Sequence, residues 1–274
     1  MKQEMMTGSV SFNRCLGDRL YHMAVRLPDL IPYPHPGQFV MIRPTSSEWP
    51  LLSRPFSIYR FSRTKDHATL EVLYRVVGRG TEILSFQKYG SRVSVLGPLG
   101  QGFLVDENCN FHILIAGGMG IAPISYLADH LRAILTSEKA MIACLGARSG
   151  VDLFGIEHLR QLDCSLNLVT EDGTMGVCGL VTDILPGVLR DCDPARTAIY
   201  ACGPMGMLRS LADSLSAEEN WKCQAAVEER MACGVGACLG CVLPVIDGRG
   251  CVVHKSVCKE GPVFKLQEIW WEGK

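Results

Sequence analysis

Residues 111–123 read Phe111-His112-Ile113-Leu114-Ile115-Ala116-Gly117-Gly118-Met119-Gly120-Ile121-Ala122-Pro123. The run 111–116 suits a strand covered on both faces, and glycines follow it at once. Beyond them Ile124, Leu127, Leu131 and either Ile134 or Leu135 fall on one helical stripe. A strand that turns through glycine into a helix brings bare amides and a helix amino end to one point, where a pyrophosphate can bind. Proline is tolerated in such a first helical turn. A glycine turn also serves packing alone, so this loop in isolation leaves both readings open.

The same alternation continues downstream. Further strands are predicted at 140–145, 166–170, 197–201 and 222–228, with a helical stripe through Met205, Leu208, Leu211 and Leu215. This pattern predicts a doubly wound parallel α/β sheet. A second loop, Cys202-Gly203-Pro204-Met205, also ends a predicted strand and opens a helix. Two such turns in one sheet mark a crevice where ligands bind in open α/β folds. Gly117, Gly118, Gly120, Cys202, Gly203 and Pro204 are therefore the candidate nucleotide residues.

Upstream, residues 9–99 alternate with period two between glycines and prolines. Leu70, Val72, Tyr74 and Val76 share one face while Glu71 and Arg75 take the other, and 38–43, 55–60 and 92–96 repeat the theme. An antiparallel β-barrel or sandwich is expected. Within it Arg54-Pro55-Phe56-Ser57 places a cation, an aromatic ring and a hydroxyl together, a set suited to a phosphate and an isoalloxazine edge, though common in exposed strands as well. Downstream of Leu73-Tyr74-Arg75, Thr81 of Gly78-Arg79-Gly80-Thr81 reads as the N-cap of a helix over 82–86, another phosphate-ready helix start.

From Arg230 the chain is rich in cysteine and glycine. Cys233, Cys238 and Cys241 have the x4, x2 spacing of a plant-type two-iron, two-sulfur cluster, with Cys251 or Cys258 as the fourth ligand. Gly234, Gly236 and Gly240 would let backbone amides turn toward anionic sulfur. Buried cysteines, a disulfide or zinc are the competing readings. Zinc normally takes two short pairs well separated in sequence. The other eight cysteines, among them Cys15, Cys109, Cys144 and Cys164, show no ligand spacing and, with Cys202 set aside for the second glycine turn, read as small core residues or bystanders.

The 274 residues exceed one ordinary domain, and 47% hydrophobic content fills several cores. With 27 basic and 28 acidic residues, the formal net charge of −1 offers no field for nucleic acid or an anionic membrane. The N-terminus lacks a signal-like apolar run, and no stretch reaches the length of a membrane span. Thirteen cysteines, an odd number, suit a reducing compartment, so a cytoplasmic location is expected. His22, His112 and His254 read as packed or exposed singles, Trp270 and Trp271 as an interface anchor or a folded-back tail, and Glu171-Asp172-Gly173 as a turn or a loop beside the nucleotide.

The order of parts resembles the ferredoxin reductase superfamily. Within it, the run 229–241 (ERMACGVGACLGC) with 258–264 (CKEGPVF) resembles the electron-transfer subunits of type B dihydroorotate dehydrogenase. The resemblance runs from about residue 9 to 264 and implies three parts: an FAD barrel at 1–105, an NAD sheet at 106–229 and a 2Fe–2S module at 230–274. It implies Cys233, Cys238, Cys241 and Cys258 as cluster ligands, and it carries FAD to Arg54, Pro55, Phe56, Ser57, Leu73, Tyr74, Arg75, Gly80 and Thr81. Ala116 departs mildly from a third glycine common in relatives. NAD is implied, although Arg148 and Ser149 stand where a 2′-phosphate could be met. The implied partner is an FMN-bearing catalytic subunit, in a heterotetramer with two copies of each chain. Electrons would pass from its FMN through the cluster to FAD and NAD+, with no side chain here acting as acid or base. An NAD(P)H-dependent reductase for an oxygenase or ferredoxin is the alternative, and a redox-sensing binding module stands third.

Overall fold

The computed structural model describes residues 5–29, 31–44, 52–136, 138–216 and 220–271. The period-two region forms a closed antiparallel barrel, not a sandwich. Its strands are β1 (Met5–Gly17), β2 (Leu20–Leu27), β3 (Phe39–Pro44), β4 (Arg54–Arg63), β5 (Ala68–Arg75) and β6 (Arg92–Leu99), in the order β1-β2-β5-β4-β3-β6. Closure leaves no open sheet edge. The barrel core takes one side of each strand's alternation, including Val25, Val40, Ile58, Leu70 and Val95. Helix α1 (Arg79–Ser85) joins β5 to β6.

The alternating half forms a sheet from β7 (Phe111–Gly117), β8 (Ala140–Ala147), β9 (Ser165–Thr170), β10 (Val177–Cys178), β11 (Thr197–Cys202) and β12 (Lys222–Ala226). All six run parallel, in the order β10-β9-β8-β7-β11-β12. Helices α2 (Ile121–Ile134), α3 (Ile156–Gln161), α4 (Leu185–Leu189) and α5 (Met205–Ser216) connect them. The chain builds outward from β7 through β8 and β9, then returns to the other side of β7 as β11. The topological switch therefore falls between β7 and β11.

The cysteine-rich end holds a hairpin, β13 (Val242–Ile246) with β14 (Val252–Ser256), and a strand, β15 (Val263–Lys265). β15 pairs antiparallel with β12 as the seventh strand, so this end is continuous with the sheet. Trp271 packs on the shared core and Trp270 N donates to Pro244 O, so the terminal aromatics fold back on their own chain.

The barrel and the sheet share apolar cores. Tyr59, Leu73 and Phe103 enter the core beneath α2, while Tyr126 of α2 enters the barrel core, its hydroxyl donating to Pro34 O at 2.9 Å. Phe39, Met41 and Leu99 of the barrel lie in one cluster with Cys241 and Cys258. Among the described residues no helix is long and apolar enough to cross a membrane.

Candidate functional site

The two glycine turns meet at the switch. Ala116 is in register with Cys202, which puts the ends of β7 and β11 side by side. A Cβ on Gly120 would lie 2.0 Å from the Cys202 carbonyl oxygen, and one on Gly203 would lie 3.1 Å from Gly117 Cα. Gly120 thus lets the loops touch, a packing role. Gly118 differs: its φ is +52°, and an added Cβ would meet nothing within 4 Å. Bare backbone facing open space at a switch point, beside the start of the 14-residue α2, fits a dinucleotide pyrophosphate. On the neighbouring strands, Gly150 N donates to Thr174 Oγ1 at 2.8 Å, and Asp172 Oδ1 accepts from Thr174 Oγ1 at 2.6 Å. The Glu171-Asp172-Gly173 loop therefore sits against Arg148 and Ser149.

Cys202 is fully buried, and burial followed by the nearby Glu228 carboxylate pushes its thiol well up. Glu228 follows β12 at the mouth of the same crevice. Its side chain reaches solvent, yet the protein around it desolvates the carboxyl and raises it above the ordinary range. The sequence reading passed over Glu228. Its signal is an acid directly past the carboxyl end of a buried strand, next to the CGPM turn.

On the barrel the structure brings RPFS to the GRGT turn. A Cβ on Gly80 would fall 2.3 Å from Arg54 Nε, so the guanidinium lies over the amino end of α1. Arg54 also donates to Leu52 O. A cation held over a short helix start suits a phosphate. Pro55 and Ser57 are half-exposed beside it, whereas Phe56, Leu73 and Tyr74 are buried. Phe56 packs edge-on against Tyr74 at 5.6 Å, and Tyr74 Oη donates to Asn13 Oδ1 at 3.0 Å, so both rings serve the barrel wall. Thr81 is not the N-cap: the helix begins at Arg79, and Gly78 takes that place. Thr81 Oγ1 accepts from Val77 N and Gly78 N and donates to Gly78 O, bonds that close the turn from inside the helix. Arg75, at the end of β5, has its guanidinium on Asp18 and Asp152.

The four cluster candidates come together. Cys233 shares a side-chain contact with Cys238, and Cys241 shares one with Cys258. Gly236 N donates to Cys258 Sγ at 3.0 Å, and Val235 N to Cys233 Sγ at 3.5 Å. Burial raises the Cys233 thiol, but the amides of Val235, Cys238 and Ala237 outweigh it and bring the group down to about 6. Cys258 is pushed up to about 12 by burial and by Cys241. Among the described residues no three donors converge on a point that fits one metal ion. Cys233 also acts on Cys258, so all four thiols neighbour one another, as the ligands of a two-iron group would. Gly234 and Gly236 take φ of +72° and +78°; the third position expected to do so, Gly240, does not, and Leu239 does instead at +54°.

Cys251 lies elsewhere. It sits in the β13–β14 turn, its amide on Asp247 Oδ1 at 3.0 Å. The length of β13 separates that turn from Cys241, roughly 13 Å at strand rise. All thirteen cysteines are free; Cys109, Cys144, Cys164 and Cys223 are buried, and Cys15 and Cys178 are exposed. His22 pairs with Glu71 at 2.7 Å, and His112 is fully buried.

The comparisons agree with this geometry. Residues 228–270 match the iron-sulfur cluster binding domain of dihydroorotate dehydrogenase B, and residues 114–213 match the oxidoreductase NAD-binding domain. Two curated relatives carry the name dihydroorotate dehydrogenase B (NAD(+)), electron transfer subunit. That of Desulforamulus reducens is 39% identical, covering 92% of this chain and 93% of its own. That of Caldanaerobacter subterraneus subsp. tengcongensis is 37% identical, covering 96% and 98%. In fold, the chain is similar to an NADH-dependent reduced ferredoxin-NADP oxidoreductase, with TM-score 0.81, 24% identity and coverage of 97% and 90%. It is also similar to a ferredoxin NADP+ reductase from Neisseria gonorrhoeae solved with FAD and NADP, with TM-score 0.68, 14% identity and coverage of 82% and 100%. Barrel, switch-point turns and paired thiols thus coincide with close relationship along nearly the whole chain, which belongs to the dihydroorotate dehydrogenase B electron transfer subunits.

Proposed function

We propose that this chain is the electron-transfer half of a cytoplasmic enzyme of pyrimidine biosynthesis, receiving electrons from a dihydroorotate-oxidising FMN subunit and delivering them to NAD+. Cys233, Cys238, Cys241 and Cys258 hold a 2Fe–2S cluster. Arg54, Pro55, Phe56, Ser57, Leu73, Tyr74, Arg75, Gly80 and Thr81 form the FAD segments of the barrel, and Gly117, Gly118, Gly120, Cys202, Gly203 and Pro204 form the NAD crevice. The functional parts divide near residues 105 and 229, and the assembly contains two copies of each subunit. When bound, the cluster passes single electrons and the flavin exchanges them for a hydride.

The residues divide the work by position. Arg54 neutralises a phosphate over α1, Gly118 leaves room for the pyrophosphate, and the amides of Val235 and Gly236 donate to thiolate sulfur. Leu239, 64% exposed on the cluster loop, with Val235 and Val242 beside it, presents an apolar face to the catalytic subunit. The observation that carries the reading is one core cluster holding both the Cys241 and Cys258 thiols and the barrel residues Met41 and Leu99. It supports a cluster held against the flavin lobe.

The test mixes the purified chain with the catalytic subunit. Dihydroorotate-dependent NAD+ reduction absent from either protein alone is expected. A mixture no more active than its parts overturns the pairing, and rapid ferredoxin or oxygenase reduction without a response to dihydroorotate selects the alternative reductase.

A further inference from the structure

Arg75 ends β5 on the flavin lobe. Its Nη1 donates to the Asp18 carboxylate and, at 3.1 Å, to Asp18 O in the β1–β2 turn, while Nη2 donates to Asp152 Oδ1 at 2.8 Å on the nucleotide lobe. Asp152 ends the Gly150–Asp152 turn just past β8, and its amide donates to Ser149 O at 3.0 Å. That turn is laced to the loop after β9: Ser149 Oγ lies 3.2 Å from Thr174 Oγ1, which also takes the Gly150 amide and bonds Asp172. A continuous polar chain therefore runs from Asp172, in the loop after β9, through Asp152 and Arg75 to the barrel turn at Asp18.

The buried contacts of Tyr59, Leu73 and Tyr126 around α2 hold the lobes together, but apolar packing is non-directional. A forked guanidinium has a fixed geometry and opposes rotation of one lobe against the other. We propose that Asp152 is a positioning residue: through Arg75 it sets the angle between the nucleotide loops and the flavin barrel, and hence the approach of nicotinamide to isoalloxazine. In this reading Arg75, part of the FAD segment of the barrel, also clasps the two lobes through its guanidinium, while Arg54 supplies the phosphate cation. The proposal rests on the flavin and nicotinamide assignment above.

The test uses the full-length, flavin- and iron-loaded chain, with Asp152→Asn and the rescue variant Asp152→Glu. Bound flavin is reduced with NADH in a stopped-flow instrument, and the long-wavelength charge-transfer absorption of the nicotinamide–flavin pair is recorded. A misplacement well below an ångström leads us to expect a loss of about 5- to 20-fold in the saturating reduction rate for Asp152→Asn. Its charge-transfer band should weaken while flavin content and NADH affinity stay within about twofold of wild type. Asp152→Glu should restore both rate and band. An Asn variant with wild-type rate and band overturns the proposal. So does a Glu variant that fails to recover, or loss of FAD, which would trace the slower rate to the seat of the flavin instead of the angle between the lobes. If NADH does not reduce the wild-type flavin at all, the functional assignment fails instead of the clasp.

Discussion

Replacing Gly120 by alanine probes the junction on which the nucleotide site depends. The new Cβ would stand 2.0 Å from Cys202 O and 2.4 Å from its carbonyl carbon. Carbon–oxygen contacts otherwise lie at about 3.3 Å or more, so the GGMG and CGPM turns must part by roughly 1.3 Å. Backbone on both sides absorbs that shift, since the obstruction is no flexible side-chain end. Overpacking of this kind costs about 1–3 kcal/mol. At 2–4 °C per kcal/mol for a chain of this size, Tm should fall by about 2–12 °C. A displacement near 1 Å at the reacting geometry lowers a rate by about 100-fold. Stopped-flow reduction of the bound flavin by NADH, with flavin content and melting measured on the same sample, checks each figure. Gly118→Ala is the control: it meets no atom within 4 Å but must hold φ +52°. That strain costs about 1–2 kcal/mol and leaves the two turns in contact. Gly118→Ala should therefore weaken NADH binding with little effect on the saturating rate. A Gly120→Ala protein with wild-type melting and rate would refute the described contact.

Cys258→Ser should abolish the iron–sulfur absorption and lower bound iron, while Cys251→Ser retains both; iron, sulfide and visible spectra of the two purified variants decide this. Arg54→Ala should leave the barrel folded but weaken FAD by roughly 10- to 150-fold, the scale of a lost charged hydrogen bond of about 1.5–3 kcal/mol, read by flavin titration. Asp106 is held down to about 2 from 3.8, chiefly by its hydrogen bond from Lys222 at 2.9 Å. A depressed acid stabilises the fold above its unfolded value and loses that contribution as pH falls toward about 2. Asp106→Asn should therefore melt below wild type near neutral pH, and melting scans should show the gap closing as the medium becomes acid. The Glu228 carboxyl keeps its proton above the ordinary carboxylate range. The NADH reduction rate of the wild type should change with pH there, and Glu228→Gln should flatten the profile.

Local signals carried much of this protein. The buried run 111–116 and its glycines predicted strand, turn and helix, because apolar period and glycine placement act within a few residues. The x4, x2 cysteine spacing likewise belongs to one loop. Alternation in 70–77 located strands but left barrel and sandwich open, since closure depends on pairing between strands distant in sequence, β1 with β6 among them. The helix after Arg75 was visible, yet its cap was placed at Thr81. A hydroxyl near a helix start reads the same from sequence whether it caps from outside or from the third helical position.

What the sequence alone determined is the inventory: two glycine turns on parallel strands, an Arg-Pro-Phe-Ser segment on a β-rich half, and a closely spaced cysteine loop. Only tertiary structure decided which of these touch. Where cysteine spacing leaves Cys251 and Cys258 both open, it set Cys258 beside the loop, as the family resemblance implies, because a hairpin carries Cys251 away along its length. It turned Phe56 and Tyr74 into the barrel wall and joined Arg75 to Asp152 across 77 residues. The physical reason is range. Propensity and spacing act between neighbours along the chain, whereas facing, closure and pairing arise from burial summed over the whole molecule, which no short window of sequence contains.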